Sequence, residues 1–184
     1  MLRFLLSAHA GCRPEDLRFG REHNGKPVLL GPQCNPPLTF NLAHCHLFSA
    51  CAVARGLQLG IDVEPARRQI SPLVAQRYLS AEEWAHCETL EFRDRSAAWV
   101  SLWTLKESFV KCCGDGLARD LREVSFLKDR SGLRSFLPLS VLGFDWGDWR
   151  FYSGRLMDSY LYAVTLRLTA KQYVRLSLHD FRGL

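Results

Sequence analysis

Two carboxylates, Asp62 and Glu64, stand two residues apart in a segment that alternates in polarity. The alternation predicts a half-buried β-strand over 57–64, because apolar residues occupy every second position. Side chains two apart on a strand leave the same face, about 7 Å from each other, close enough to share one ion. Carboxylate oxygens suit a hard cation such as Mg²⁺. Taken alone, the pair favours the alternative, a solvated strand face.

A second group of side chains is spaced four residues apart, as are neighbours one turn apart on a helix. Trp103, Glu107 and Lys111 have this spacing inside a helix predicted over 96–112. Glu107 and Lys111 could equally form an ordinary surface ion pair, which contributes little stability. Lys106 projects about 100° away from Glu107 around the helix. We expect Lys106 to be structural or to face a partner, and not to be catalytic.

Two further polar residues lie near turns or strand starts. His44 follows a short apolar run, and Lys26 lies between Gly25 and Pro27 on a stiff turn. A lone histidine is more often a hydrogen-bonded structural residue, and a lysine in a turn is usually solvated. Neither residue indicates a site by itself, so the case depends on the order and spacing of all these groups.

The remaining patterns predict a mixture of helices and strands. Residues 12–39 are rich in turns, and Arg55 with Gly56 is typical of a hairpin turn. Ser80 and Glu83 have the spacing of a capping box, and Asp94 or Ser96 is expected to cap the last helix. The predicted helices cover 72–79, 81–90 and 96–112, and the predicted strands cover 47–53, 57–64, 124–127, 149–152 and 160–168. Strands before and after a helical centre indicate an α+β fold.

The composition excludes several classes of protein. The 184 residues carry a formal net charge of +5, and 47% of them are apolar, which is not the composition of a disordered chain. No apolar run is long enough for a transmembrane helix, and the apolar start is too short for a signal peptide. The charge favours an acidic or phosphorylated partner over nucleic acid. The seven cysteines lack paired spacings, so we expect reduced thiols in a cytoplasmic protein.

Together these residues resemble the 4′-phosphopantetheinyl transferase family, in its larger, surfactin-synthetase-activating (Sfp) type. Four blocks occur in the family's order, at 25–27 (GKP), 40–44 (FNLAH), 60–64 (GIDVE) and 103–111 (WTLKESFVK). A G-x-G-L loop at 114–117 and a linking segment at 77–84 are also similar. The resemblance covers about residues 18–127. Its specific part is G-x-D-x-E followed by W-x-x-K-E-S-x-x-K.

The resemblance implies an architecture. The larger members of the family are pseudo-dimers, with two similar α+β lobes in one chain and the active site between the lobes. We therefore expect a reduced N-terminal lobe over 1–56, a C-terminal lobe over 57–170 and a tail over 171–184. The first lobe is expected to be truncated, because larger members carry more residues before the GKP block. The chain is expected to be a monomer.

The resemblance also implies a reaction. The 4′-phosphopantetheine arm of coenzyme A moves to a serine of an acyl or peptidyl carrier protein, and adenosine 3′,5′-bisphosphate leaves. The residues that match the family's three Mg²⁺-associated acids are Asp62, Glu64 and Glu107. Glu107 is also the candidate general base, and Lys111 would hold the pyrophosphate. Lys26 and His44 match positions that contact coenzyme A.

Two other functions stay open at this point. The first is a non-catalytic relative that binds coenzyme A or a carrier, since Ala43 stands where the family usually has a hydroxyl residue. The second is a nucleic-acid-binding domain, which only the basic charge and the pair Arg67 and Arg68 favour. For a transferase, we expect the carrier to dock at 67–79. That segment offers Arg67, Arg68 and Arg77 as charges and Ile70, Leu73, Val74 and Leu79 as apolar anchors.

Overall fold

The computed structural model describes residues 2–46, 48–114, 116, 120–128, 136–140 and 148–168, with 174, 176, 177 and 179 as isolated positions. The α-helices in these residues are α1 (Leu2–Ala10), α2 (Pro72–Ala75), α3 (Ala81–Glu88) and α4 (Phe92–Cys113), and short 3-10 helices cover Pro14–Asp16 and Leu121–Glu123. The strands are β1 (Arg18–Arg21), β2 (Pro27–Gly31), β3 (Leu38–Cys45), β4 (Phe48–Arg55), β5 (Gln58–Pro65), β6 (Ser125–Lys128), β7 (Phe136–Ser140), β8 (Trp149–Leu156) and β9 (Tyr160–Arg167). The mixture confirms the predicted α+β class.

Antiparallel pairing arranges the described strands in small sheets. β1 pairs with β2, β3 with β4, and β6 with β7. β5, β9 and β8 form a three-stranded sheet with β9 in the middle, and the register sets Asp62 opposite Ala163. Helix α4 packs across β5 and β9. The three-stranded sheet and α4 therefore form the frame for the candidate site.

Strand β5 is covered on both faces, which differs from the half-buried strand that its alternation predicts. One face packs against β3 and β4 in a single apolar cluster, through Leu59, Ile61 and Val63. On the other face, a Cβ atom added to Gly60 would lie 2.1 Å from the Ser108 carbonyl oxygen and 2.4 Å from the Cys112 amide nitrogen. Helix α4 thus lies directly on the glycine. The face expected to be solvated is a helix-packing face.

Strand β5 is joined to β3 by a side chain. The Ile61 amide donates a hydrogen bond to Oδ1 of the buried Asn41 at 2.9 Å. The chain enters β5 from β4 through Gly56, whose φ of 66° lies in the left-handed region that favours glycine. Because β4 pairs with β3 and β5 pairs with β9, the predicted hairpin turn at Arg55 and Gly56 is wrong.

A buried ion pair holds α3 against α4. Lys106 Nζ lies 2.6 Å from Glu83 Oε2, and neither side chain is exposed to solvent. The Lys106 ammonium also donates to two carbonyls beyond α4, those of Leu121 and Val124. Glu83 accepts from the amides of Ser80 at 2.8 Å and Phe126 at 2.6 Å. The predicted capping box is confirmed, and Lys106 is structural and cannot face a partner.

Helix α4 begins earlier than predicted. It starts at Phe92, and neither of the predicted caps, Asp94 and Ser96, lies at its first position. The Arg95 guanidinium donates to the carbonyl of Glu88, the last residue of α3, and to that of Leu90 in the turn that follows, and these bonds stabilise the first turn of α4. Local bonds to the turn between α3 and α4 thus take the place of the predicted side-chain cap.

The other predicted boundaries differ in smaller ways. The turn-rich segment 12–39 contains the short strands β1 and β2, and α2 ends at Ala75 with turns following it. The remaining predicted strands are confirmed with small shifts, as β4, β6, β8 and β9. Most of the predicted tail lies outside the described residues. The division near residue 57 and the two-lobed architecture stay predictions.

The cysteines are consistent with a reduced protein. All seven are free thiols. Burial raises the pKa of Cys51 to about 11 and that of Cys112 to about 12, so both stay protonated at neutral pH.

Among the described residues, no helix is both long and apolar enough to cross a membrane.

Replacing Gly60 with alanine should push α4 away from β5. The added methyl group would overlap two backbone groups of the helix, which cannot move aside without moving the helix. We expect the free energy of unfolding to fall by about 3 kcal/mol or more, the upper range for overpacking, as measured by urea denaturation. Gly20→Ala is the matched control, because the atoms nearest to its methyl group would belong to the exposed Leu30 side chain, which can move aside. Equal losses in the two variants would contradict the importance of this contact.

Candidate active site

The predicted stripe on α4 faces β5. Positions meet in opposite order along the two elements, since Lys111 contacts Asp62 and Trp103 contacts Glu64. Glu107 lies one turn from each of its stripe partners. The structure therefore places the strand acids Asp62 and Glu64 near Glu107 and Lys111, which follow them by 43 to 49 residues in sequence.

Asp62 is buried and has a partner on only one of its oxygens. It is 6% exposed, and Oδ1 accepts a hydrogen bond from Lys111 Nζ at 2.7 Å. Oδ2 is buried without a hydrogen-bond partner in the described part of the chain. Burial raises the pKa of Asp62 to about 6 against the opposing charge of Lys111, and Glu64 and Glu107 raise it further. Another positive charge beside Oδ2 would stabilise the ionised form.

Glu64 is held by two donors on the same oxygen. Its Oε1 accepts from the Trp103 indole nitrogen at 3.0 Å and from the Arg68 guanidinium. Arg68 also lies over the Trp103 ring, 5.5 Å from its centroid. A turn after the strand brings Arg68 back, with its amide donating to the Pro65 carbonyl at 2.9 Å. Arg68, which the sequence predicts at the carrier-docking surface, is bound to an acid of the site, a contact that the Glu-x-x-x-Arg spacing around Pro65 could have indicated.

Glu107 is half-buried between these two pairs. Its Oε1 is buried, and no described residue bonds to it. Burial raises the pKa of Glu107, Lys111 and Arg68 oppose the increase, and Glu64 adds to it. A glutamate with a raised pKa accepts a proton more readily near neutral pH than an ordinary exposed one.

The donor set fits Mg²⁺, although the side chains do not form a finished metal cluster. Within the described ranges, no three acid, histidine or cysteine side chains lie close enough together to hold an ion as they stand. One oxygen of Asp62 already accepts a hydrogen bond from Lys111, and one oxygen of Glu64 accepts hydrogen bonds from Arg68 and Trp103. The two partnerless oxygens, Asp62 Oδ2 and Glu107 Oε1, are the hard ligands that Mg²⁺ prefers. The residues therefore fit the ion after side-chain rearrangement.

Lys26 and His44 lie in other surroundings. Lys26 Nζ donates to the carbonyls of Lys111 at 2.9 Å and Leu59 at 3.4 Å, so it caps the C-terminal end of α4. His44 is exposed on β3, and the preceding Ala43 is buried in the cluster under β5. The sequence did not indicate the capping contact of Lys26. The predicted roles of both residues in coenzyme A binding stay predictions.

The raised pKa of Asp62 predicts that Asp62→Asn stabilises the metal-free protein near neutral pH. The folded-state pKa of about 6 exceeds the unfolded value of 3.8, so the folded protein loses stability as Asp62 ionises between about pH 4 and pH 6. Asparagine removes this cost. We expect a gain of at most about 3 kcal/mol above pH 6 that disappears below pH 4, as measured by urea denaturation in buffers with a chelator.

Asp16→Asn is the control for this prediction. Its hydrogen bond with Arg13 lowers the pKa of Asp16, so the exposed asparagine variant should gain no stability at neutral pH. A gain for Asp62→Asn that persists unchanged at pH 4 would contradict a cause in the ionisation of Asp62.

Comparison with known proteins identifies the family. The model of the 4′-phosphopantetheinyl transferase superfamily matches residues 58–165. The chain is 33% identical over 121 residues to the 4′-phosphopantetheinyl transferase HetI of Nostoc, covering 65% of this chain and 51% of HetI. It is 30% identical over 189 residues to the human L-aminoadipate-semialdehyde dehydrogenase-phosphopantetheinyl transferase, covering 91% of this chain and 59% of that protein. The chain spans about half the length of the curated relatives it matches.

A likeness to a solved structure is weaker. Thermotoga maritima holo-[acyl-carrier-protein] synthase aligns with a TM-score of 0.48 at 22% identity, covering 62% of this chain and 66% of that one, which adds no argument. The family match is stronger than this structural likeness, because it includes β5 and α4, the two elements that carry the acids. On that match, the chain belongs to the 4′-phosphopantetheinyl transferase superfamily.

Proposed function

We propose that this chain transfers the 4′-phosphopantetheine arm of coenzyme A to a serine hydroxyl of an acyl or peptidyl carrier protein. The observation that carries the proposal is the pair of buried, partnerless oxygens on Asp62 and Glu107 beside Lys111. Buried acids without partners are costly, and such groups with raised pKa values cluster at functional sites. Membership of the superfamily supports the same reaction.

The reaction is a displacement at phosphorus. The serine Oγ attacks the β-phosphorus of the coenzyme A pyrophosphate, and an O–P bond forms as the bond from that phosphorus to the bridging oxygen breaks. The bridging oxygen keeps the electron pair and leaves as part of adenosine 3′,5′-bisphosphate. The serine proton passes to Glu107, directly or through one water molecule. Because burial raises the pKa of Glu107, the residue is suited to receive this proton.

The other residues of the site bind and orient the pyrophosphate. Bound Mg²⁺ would supply the positive charge that neutralises the pyrophosphate as the bond breaks. The residues that would hold the ion are Asp62, Glu64 and Glu107. Lys111, now on Asp62, has three donors and can contact a phosphate oxygen as well as a carboxylate.

Mass spectrometry of a carrier protein tests the proposed function. Incubation with this chain, coenzyme A and Mg²⁺ should add one phosphopantetheine mass to the carrier. Glu107→Gln should slow the transfer by at least about 10²-fold, because the variant loses the base and a charge. Glu91→Gln, at an exposed position before the same helix, is the control and should transfer normally.

Circular dichroism of both variants checks that the fold is retained. Near-normal transfer by Glu107→Gln would end the catalytic assignment of this residue. Absence of transfer by the unmodified chain, with coenzyme A still bound, would favour the non-catalytic relative.

Several general features stay predictions alongside this function. They are the monomeric state, the cytoplasmic location, and the absence of nucleic-acid and membrane partners. The net charge of +5 suits an acidic carrier. The surface proposed for carrier docking is therefore one where exposed basic and apolar side chains lie close together.

The carrier would dock on the segment 67–79, through fewer residues than the sequence suggested. Ile70 and Leu79 are buried in the core, so these two predicted anchors are wrong. Leu73 and Val74 remain available, with 75% and 45% of their surfaces exposed. Among the charges, Arg67 and Arg77 are exposed, whereas Arg68 is held by Glu64.

Arg67 connects this segment to the acids. It lines a cleft of about 520 Å³ together with Glu64, and a neighbouring cleft of about 570 Å³ together with Tyr160. His46 and Pro65 also line both clefts. A carrier helix that contacts Arg67 would therefore bring its serine towards the cleft that Glu64 lines, and Leu73 lies further along the same segment.

Arg67→Glu should weaken carrier docking selectively. The reversed charge would repel an acidic carrier helix, so the KM for carrier should rise several-fold while the KM for coenzyme A stays nearly unchanged. The salt dependence of the KM for carrier should also decrease. Arg55→Glu is the control, because it makes the same charge change at the far end of β4. A rise in the KM for coenzyme A would instead place Arg67 in the nucleotide pocket.

A further inference from the structure

Arg68 contacts the acid site and the open cleft at the same time. Its guanidinium is bonded to Glu64, and its side chain is 38% exposed against 15% for Glu64. The same two residues line the cleft of about 520 Å³. One cation thus pairs with an acid of the site from a position that a ligand in the cleft can reach.

The site nearly balances its own charge. Three negative acids face two positive side chains, Lys111 and Arg68, which leaves one net negative charge when all five are ionised. A divalent cation on its own would reverse this sign in a half-buried environment. A divalent cation that binds together with a pyrophosphate would not reverse the net charge, because the negative charges of the pyrophosphate offset those of the cation.

We propose that Arg68 neutralises Glu64 in the substrate-free enzyme and moves to a pyrophosphate oxygen when coenzyme A binds, so that the acids take up a divalent cation together with the nucleotide. This inference rests on the proposed function and adds an order of binding to it. The guanidinium lies over the Trp103 ring, and this contact does not use its N–H donors, so it is compatible with the exchange of a carboxylate for a phosphate. Both anions accept the same forked pair of N–H donors.

A purely orienting role for Arg68 would have the opposite effect. Outer partners that hold a metal-binding carboxylate in place strengthen metal binding, and their loss weakens it by about 10–100-fold. A competing cation weakens metal binding, and its loss strengthens it. The sign of the change therefore separates the two roles.

Binding of Mn²⁺, measured by electron paramagnetic resonance on the purified chain, tests the proposal. Arg68→Gln should bind Mn²⁺ about twofold to fivefold more tightly than the unmodified protein in the absence of coenzyme A, the factor expected from a partly exposed ion pair. With coenzyme A present, the two proteins should bind Mn²⁺ similarly, so the enhancement of Mn²⁺ binding by coenzyme A should shrink by the same factor.

Two further variants control for net charge and for folding. Arg67→Gln makes the same charge change in the same cleft without touching Glu64, and should change Mn²⁺ binding much less. Arg68→Lys keeps the positive charge and should keep Mn²⁺ binding weak, which a folding defect at this position would not explain.

Two results would overturn the proposal. Weaker Mn²⁺ binding by Arg68→Gln would show that Arg68 orients Glu64. Equal effects of Arg68→Gln and Arg67→Gln, including no binding by any of the proteins, would show that the contact with Glu64 has no special role. The carrier-modification assay is separate from these titrations, so a failure of the proposed function is distinguishable from a failure of this inference.

Discussion

The contact between α4 and β5 at Gly60 determines where the site residues lie. The absence of a side chain lets the backbone of α4 approach the strand so closely that a methyl group would overlap it. At that separation Lys111 reaches Asp62 at 2.7 Å, and the Ser108 hydroxyl meets the Thr165 hydroxyl, also at 2.7 Å. Hydrogen bonds weaken steeply as the distance grows. The hydrogen bond between Asp62 and Lys111 therefore depends on Gly60, because the glycine sets the distance between the strand and the helix.

The buried pair of Glu83 and Lys106 sets the rotation of the same helix. Burial lowers the pKa of Lys106 and the carboxylate of Glu83 opposes this decrease, while backbone partners complete the hydrogen bonding of both side chains. A buried pair is tolerated only when it is satisfied in this way. Lys106 is adjacent to Glu107, about 100° away around the helix. When Lys106 is fixed on the α3 side, Glu107 is therefore directed towards β5.

Local signals in the sequence predicted the parts of this arrangement that depend on neighbouring residues. The alternation over 57–64, the four-residue stripe on α4 and the capping box at Ser80 each involve a few adjacent positions. Other features arise from long-range packing and could not be predicted locally. Lys26 caps a carbonyl 85 residues away, and the second face of β5 is buried only because α4 covers it. The contact between Arg68 and Glu64 was only partly predictable, because the two residues are four apart in sequence but meet through a turn after Pro65.

The positive side chains near the site have different roles, and this difference explains how the fold tolerates buried acids. Asp62 and Glu107 have raised pKa values and partnerless oxygens, so they reduce the stability of the folded protein. Contacts that do not involve these acids also hold α4 in place, among them Gly60, the Glu83 pair and the aromatic contact of Phe109 with Trp149 at 5.0 Å. Lys106 is fully buried and fixed, whereas Lys111 and Arg68 are partly exposed. The acids can therefore exchange partners with a metal ion and a pyrophosphate while the helix that carries Glu107 stays in place.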